Sequence, residues 1–217
     1  MKADLHVHTS YSDDGWSKPA KVVRSCARKG IRCIAIADHN SFAAYEEVKD
    51  NGEVIVIPAE EVSSKKGHIV ALGIDREIPK GMDVKETIDA IHEAGGIAIA
   101  AHPYRWWSGL GERNVIPEFD GVEAKNAKST PGANYRSKKL AQSFGKIITA
   151  GSDAHNRYST GWAYMTISDD CRTWQDVMEE IKAGRVQVHG FSRYVIGSIF
   201  YVLHSVFAWM FRGFHKM

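Results

Sequence analysis

Residues 2–40 read KADLHVHTSYSDDGWSKPAKVVRSCARKGIRCIAIADHN, and three patterns succeed one another along them. KADLHVH (2–8) alternates apolar and polar residues, as a half-buried strand does. SKPAKVVRSCARKG (17–30) carries the marks of a helix: Ser17 as N-cap, Pro19 in the first turn and Gly30 at the end. IRCIAIAD (31–38) is a near-continuous apolar run, the pattern of a strand covered on both faces. Together they make a strand–helix–strand unit.

The unit repeats. SFAAYEEVKDNG (41–52) predicts a helix and EVIVIPA (53–59) a strand; HIVALGI (68–74) predicts another strand, DVKETIDAIHEAGG (83–96) a helix and IAIAA (97–101) a buried strand. FDGVEA (119–124), a helix near 133–145, KIITAG (146–151), GWAYMTI (161–167) and the helix TWQDVMEEIKAG (173–184) continue the series. Short apolar strands alternating with helices predict an α/β fold with a mostly parallel sheet, and the number of units predicts a barrel.

At 217 residues the chain suits one catalytic domain, expected over 1–190, with a separate tail over 191–217. The formal charge of +2 is uneven: every acidic residue lies at or before Glu180, whereas Arg185, Arg193, Arg212 and Lys216 follow residue 183. The body is therefore slightly acidic and offers no basic-patch case for sequence-specific nucleic-acid binding. Cys26, Cys33 and Cys171 are not spaced as a zinc knuckle and read as reduced core residues, and no signal-peptide pattern precedes the first strand. A cytoplasmic location is expected. YVIGSIFYVLHSVFAWMF (194–211) runs without a formal charge between Arg193 and Arg212. Gly197, Ser198, His204 and Ser205 share one face of the helix it would form, so membrane anchoring or membrane-surface contact stands beside packing on the barrel or in an oligomer.

Potential metal ligands fall on this map in a regular way. His6 and His8 lie on the first predicted strand, Asp38 and His39 end the second, Glu60 and Glu61 end the third, and His102 follows IAIAA. Glu123 ends FDGVEA, and Asp153 and His155 follow KIITAG. Read singly, each is an ordinary polar residue of a strand end or turn, as His68 and Asp14 are, and His92 beside Glu93 reads as helix surface. Jointly they converge, because the C-terminal strand ends of a parallel α/β barrel share one face, where active sites are built. The i, i+2 spacing of His6 and His8 projects both imidazoles to one side of a strand, as it would Asp4. Imidazole with carboxylate suits Zn²⁺, Mn²⁺ or Fe²⁺, and a two-oxygen carboxylate such as Glu61 can bridge two ions.

DLHVHTSYSDDG, the strand into ADHN, PAEEVS, AAHP and TAGSDAH resemble the motif regions of the PHP (polymerase and histidinol phosphatase) superfamily over roughly residues 3–156. The resemblance implies a distorted barrel of the (β/α)7 type with two or three divalent ions: Zn, Mn or Fe, with Mg as a further candidate. Carried over by motif, His6 and His8 with Glu61 and Asp153 would hold one ion, and Asp13, His39 and His155 another. His102 and Glu61, with His68 or Glu123, would hold the remaining one. Asp14 becomes a turn residue in this reading, and Asp4 a support for the ligands.

The implied reaction is hydrolysis of a small phosphorylated metabolite or nucleotide by metal-activated hydroxide. Glu61, Asp153 and Asp38 are the candidate catalytic carboxylates, Asp38 as a supporting or proton-transfer group. Arg105, Lys125, Arg136 and Arg157 are candidates for the substrate phosphate. Trp106 and Trp107, in the loop after AAHP, read equally as a lid or ring-stacking surface and as packing residues. Two alternatives remain: metal-dependent hydrolysis of another bond, and a non-catalytic metal-binding module.

Overall fold

The computed structural model describes residues 1–192, and the 194–211 segment and the tail beyond residue 192 lie outside them. Among the described residues no helix is long and apolar enough to cross a membrane. Nine strands form one sheet: β1 (Lys2–Val7), β2 (Ile31–Ile36), β3 (Ile55–Ser64), β4 (Gly67–Leu72), β5 (Ile97–Ala100), β6 (Gly121–Asn126), β7 (Ile147–Gly151), β8 (Ala163–Thr166) and β9 (Gln187–Gly190). Their order is β7-β6-β5-β4-β3-β2-β1-β8-β9. The sheet nearly closes on itself, because the chain beyond β7 returns to β1. Asp153 N donates to His6 O at 2.7 Å and His8 N to Ala154 O at 2.8 Å.

Five helices accompany the strands: α1 (Pro19–Arg28), α2 (Ala43–Val48), α3 (Val84–Glu93), α4 (Pro131–Ser143) and α5 (Trp174–Lys182). Their starts follow local chemistry. The Thr173 hydroxyl accepts from Asp176 N while Thr173 N donates to the Asp176 carboxylate, a reciprocal cap. Asp83 and Glu86 cap α3 in the same way. For α1 the N-cap is Lys18 and not Ser17; the Ser17 hydroxyl accepts instead from Arg157 N, across the mouth of the barrel.

The core explains the continuous apolar strands. Cys33, Ala35, Ile57, Ala59, Leu72, Ile97 and Ile99 fill the barrel interior, while Ile34, Ile36 and Val56 on the other face pack under Val22, Val23 and Cys26 of α1. Ile69, Ala71, Ala98 and Ala100 do the same under Ile88 and Ile91 of α3 and Leu140 of α4. Both faces are buried, so period-two alternation is lost.

The sheet is mixed rather than mostly parallel. β1, β2 and β3 run parallel, as do β5, β6 and β7, but β4 is antiparallel to both neighbours and β8 to β1. β9 pairs antiparallel with β8; four half-exposed residues gave no strand signal. β3 also continues past residue 59. Up to Pro58 it pairs with β2, and from Ala59 it pairs with β4, so Glu60 and Glu61 sit at the changeover and not at a strand end.

Candidate metal centre

The C-terminal ends of β1, β2, β5 and β7 open on one side, and β4, being antiparallel, brings its first residues there. His68 thus reaches the same mouth from a strand beginning. Glu61 stands in the middle. Its Oε2 lies 3.2 Å from His6 Nε2, 3.3 Å from His8 Nε2 and 3.2 Å from His39 Nδ1. Its Oε1 lies 3.0 Å from His68 Nδ1 and 2.9 Å from His102 Nε2. Asp153 faces the same space, with Oδ1 3.6 Å from His8 Nε2 and 3.4 Å from His155 Nδ1.

Several backbone features aim these groups. β1 shifts register between Asp4 and Val7, which carries the strand from one face to the other: Leu5 belongs to the interior cluster, Val7 to the outer one. His6 and His8 therefore point into the mouth and Asp4 does not. The Asp4 carboxylate instead accepts from Ser152 N (2.8 Å), Ser152 Oγ (2.6 Å) and Gly161 N (2.8 Å), fixing the turn that presents Asp153. A side chain at Gly151 would strike His6, so only glycine permits β7 to pass so close to β1. His102 (φ 28°) and Asp153 (φ 53°) occupy left-handed backbone that such residues rarely adopt, the kind of strain that collects at functional sites.

Hydrogen bonds set which nitrogen of each imidazole faces inward. Ser12 Oγ donates to Asp38 Oδ1 at 2.7 Å, so its oxygen accepts from His39 N at 2.9 Å and from His8 Nδ1 at 3.1 Å. His8 Nε2 is thereby left without its proton and turned to Glu61. Glu123 acts likewise on His6, accepting from Nδ1 at 3.0 Å, and also from His102 N (2.9 Å) and Asn126 Nδ2 (3.0 Å). Glu123, named beside His68 as an alternative ligand, is engaged by these three donors and orients the His6 imidazole. Asp38, expected as a supporting or proton-transfer group, is buried and accepts from Thr9 N, Thr9 Oγ1 and Ser12 Oγ, so it holds the loop after β1.

The structure also exchanges the two loop aspartates. Asp14 is buried, with its carboxylate 2.7 Å from His155 Nε2 and 3.9 Å from His39 Nε2. Asp13, the expected ligand, is exposed on the rim of a groove with Tyr11, His39 and His68.

Four buried imidazole nitrogens, on His6 (Nε2), His8 (Nε2), His39 (Nδ1) and His102 (Nδ1), have no hydrogen-bond partner among the described residues. Burying an unsatisfied polar atom costs free energy, and the first three, all turned to Glu61 Oε2, mark a site built for something else. Donors about 2.1 Å from one ion stand roughly 3.0–3.4 Å apart in octahedral or tetrahedral geometry, the range in which three imidazole nitrogens surround Glu61 Oε2. Four ligand triplets fit one ion each: His6–His8–Glu61, His8–His39–His155, His6–His102–Asp153 and His39–Glu61–His68.

The electrostatics agree. Burial pushes His8 and His155 below the ordinary histidine range, His39 down to about 4 and His102 down to about 3, with the Arg105 guanidinium adding to the last. Neutral imidazole is the ligating form. Burial would raise the Glu61 and Asp153 carboxyls, but the imidazoles around Glu61, and Arg105 and Lys128 beside Asp153, hold both well below the usual range. Burial likewise lowers His6, yet Glu61, Glu123 and Asp153 outweigh it and raise it well above. The centre of the cluster attracts positive charge.

Of the four expected phosphate-binding cations, the structure brings Arg105 to the cluster, 2.6 Å from Asp153 Oδ2. Arg136 stacks on Tyr104 and faces Glu112, and the Arg157 guanidinium stacks on Tyr158. Lys125, half-buried on β6, makes no hydrogen bond or ion pair with it among the described residues. Lys128 was missed: its ammonium lies 3.3 Å from Asp153 and 2.6 Å from His155 Nδ1. It stands just beyond β6, and the strand-end rule applied to His, Asp and Glu would have found it. Trp106 and Trp107 are 89% and 58% exposed, which excludes a packing role.

Comparison with known proteins follows the same lines. The PHP domain model matches residues 4–101 and the PHP-associated model residues 131–186. An uncharacterized protein of Methanocaldococcus jannaschii is 38% identical over 146 residues, 61% of this chain and 85% of its own length. A 5'-3' exoribonuclease of Haemophilus influenzae is 27% identical over 72% of this chain, which spans 56% of that protein. A solved two-domain protein from Bacteroides vulgatus, described as containing a PHP-like metal-dependent phosphoesterase, superposes with a TM-score of 0.73 at 17% identity, over 88% of this chain and 65% of its own. That last likeness is one of fold. Motifs, barrel and sequence matches together place the chain in the PHP family, to which it belongs.

Proposed function

We propose that this protein is a metal-dependent phosphoesterase that hydrolyses a small phosphorylated metabolite or nucleotide. One observation carries the reading: partnerless imidazole nitrogens ring the Glu61 carboxylate, with two cationic side chains at the edge of the ring. His6, His8, His39, His68, His102, His155, Glu61, Asp153 and Asp14 are the residues that would hold two or three divalent ions. Such ions, when bound, supply Lewis acidity and a water of lowered pKa for attack on phosphorus.

The chain's own residues do the rest. Ser12 and Glu123 keep His8 and His6 in the tautomers that face the site. Arg105 and Lys128 are the groups to receive the phosphoryl oxygens, since an always-charged guanidinium and an ammonium match that charge. With cations bound beside Asp153, neither side chain needs to neutralise it. The exoribonuclease among the relatives supports a phosphodiester of nucleotides within the substrate class.

The test is hydrolysis of a panel of phosphomonoesters, phosphodiesters and amides by the full chain, stripped with chelator and reloaded with Mn²⁺ or Zn²⁺. Metal-dependent cleavage of a phosphoester is expected. No phosphoester cleavage with either ion contradicts the reading, and amide cleavage alone supports the other hydrolase.

A further inference from the structure

A cleft of about 630 Å³ is formed by the segments that follow Asp14 and His155, lined by Trp16, Lys18, Lys21, Arg157, Tyr158 and Trp162 with smaller polar residues between. Its size is that of a ligand site. Its floor is continuous with the metal centre: Trp16 follows Asp14 by two residues, its backbone N donates to His155 O at 2.9 Å, and Arg157 follows His155 by two. Trp16 is 56% and Tyr158 69% exposed. The lining holds three cations and no carboxylate, in a body that is acidic overall.

Exposed aromatic side chains interleaved with cations, on the segments that flank a site for a phosphoester, match one chemistry. Each base of a single strand has a flat face to stack, and each link carries a charge. A duplex hides its base faces, and a small phosphorylated sugar with one phosphate leaves most of the three lining cations unmatched. We propose that this cleft is a subsite for single-stranded nucleic acid, stacking a base next to the phosphodiester that lies at the Glu61 cluster. The assignment of the phosphodiester rests on the function proposed above; the cleft's ligand does not.

The experiment measures binding of a labelled, phosphorothioate-linked single strand of about ten nucleotides to the Mn²⁺-loaded full chain by fluorescence anisotropy. The variants are Trp16→Ala with Tyr158→Ala, and Lys18→Gln with Lys21→Gln. Wild type is expected to bind the single strand more tightly than the duplex of the same sequence. The aromatic variant is expected to lose at least about fivefold in affinity, the lower end for one stacked base. The lysine variant is expected to flatten the dependence of log affinity on log salt by about 1.4. Absence of binding by wild type, equal binding of duplex or of poly-glutamate, or unchanged affinity in both variants would overturn the proposal.

Hydrolysis of bis(p-nitrophenyl) phosphate by wild type separates the two claims. A chain that cleaves this ester but ignores the single strand loses the subsite and keeps the activity. One that binds the strand through the cleft but cleaves nothing keeps the subsite and loses the activity.

Discussion

At the scale of the residue, two pairs of adjacent carboxylates divide between the site and its surroundings. In SDDG the turn from Thr9 to Gly15 decides the matter. Gly15 N donates to Ser12 O, and Gly15 sits so tightly on the Thr9 carbonyl that no side chain fits there; the turn sends Asp14 inward and Asp13 outward. Asp14→Asn is expected to lower metal content and to cut hydrolysis by about tenfold or more, while Asp13→Asn leaves metal content unchanged; elemental analysis and rates on both variants check it. Neighbouring aspartates on a turn have no periodicity to separate them, so this choice was invisible in the sequence. On a strand it was visible: Glu60 and Glu61 must face opposite ways, and the sequence motif pointed to Glu61. Glu60 turns away, is buried, and accepts from Ile78 N at 2.9 Å. Burial raises its carboxyl from 4.5 to about 7. Between those values the folded chain holds a proton the unfolded chain has released, so stability from this group is full below pH 4.5 and lost as pH rises through 7. Glu60→Gln keeps an acceptor and removes the charge. Its urea midpoint is expected to exceed wild type at pH 8 and to match it near pH 4; equal midpoints at pH 8 would refute this assignment.

At the scale of the element, a fold of short loops is pinned by groups far away in sequence. Lys29, at the C-cap of α1, donates to Arg157 O (3.0 Å), Tyr158 O (2.8 Å), Thr160 O (3.0 Å) and Thr160 Oγ1 (2.9 Å). It thereby gathers the loop that follows His155. Lys29→Met is expected to destabilise the chain by about 1 kcal/mol, since the ammonium is partly solvated. It should also speed amide exchange over residues 157–161 more than elsewhere. Uniform exchange rates would show that the cage does not hold this loop. No sequence pattern announces such a cage, because three of its four acceptors are backbone carbonyls. Strand direction follows from a boundary the sequence hid: β3 runs on to Ser64, so only Lys65 and Lys66 separate it from β4, and a two-residue link cannot make a parallel crossover. The alternation of strands and helices correctly indicated a barrel, but it concealed that β4 runs backwards and delivers His68 from its first turn.

At the scale of the whole molecule, the barrel places apolar interior at one end and a converging set of imidazoles and carboxylates at the other. The clustered imidazoles and carboxylates lie far apart in the chain, from His6 to His155, and strand-end placement alone united most of them. What the sequence left open was which of those groups face the centre and which, like Glu123 and Asp38, stand behind and orient it. That division depends on register shifts in β1 and on hydrogen bonds within loops. Because the centre exists only when these segments come together, ions bind the folded chain in preference to the unfolded one. At a hundredfold excess of ion over its dissociation constant the folded state should gain about 2.7 kcal/mol, read as a rise in melting temperature with Mn²⁺ that EDTA reverses. The most direct test of the centre itself is the metal-to-protein ratio of the purified full chain, wild type beside Glu61→Gln, after dialysis against metal-free buffer. At least two divalent ions per wild-type chain are expected, and at least one fewer in the variant. Fewer than one ion per wild-type chain, or equal ratios in the two proteins, would contradict the metal centre.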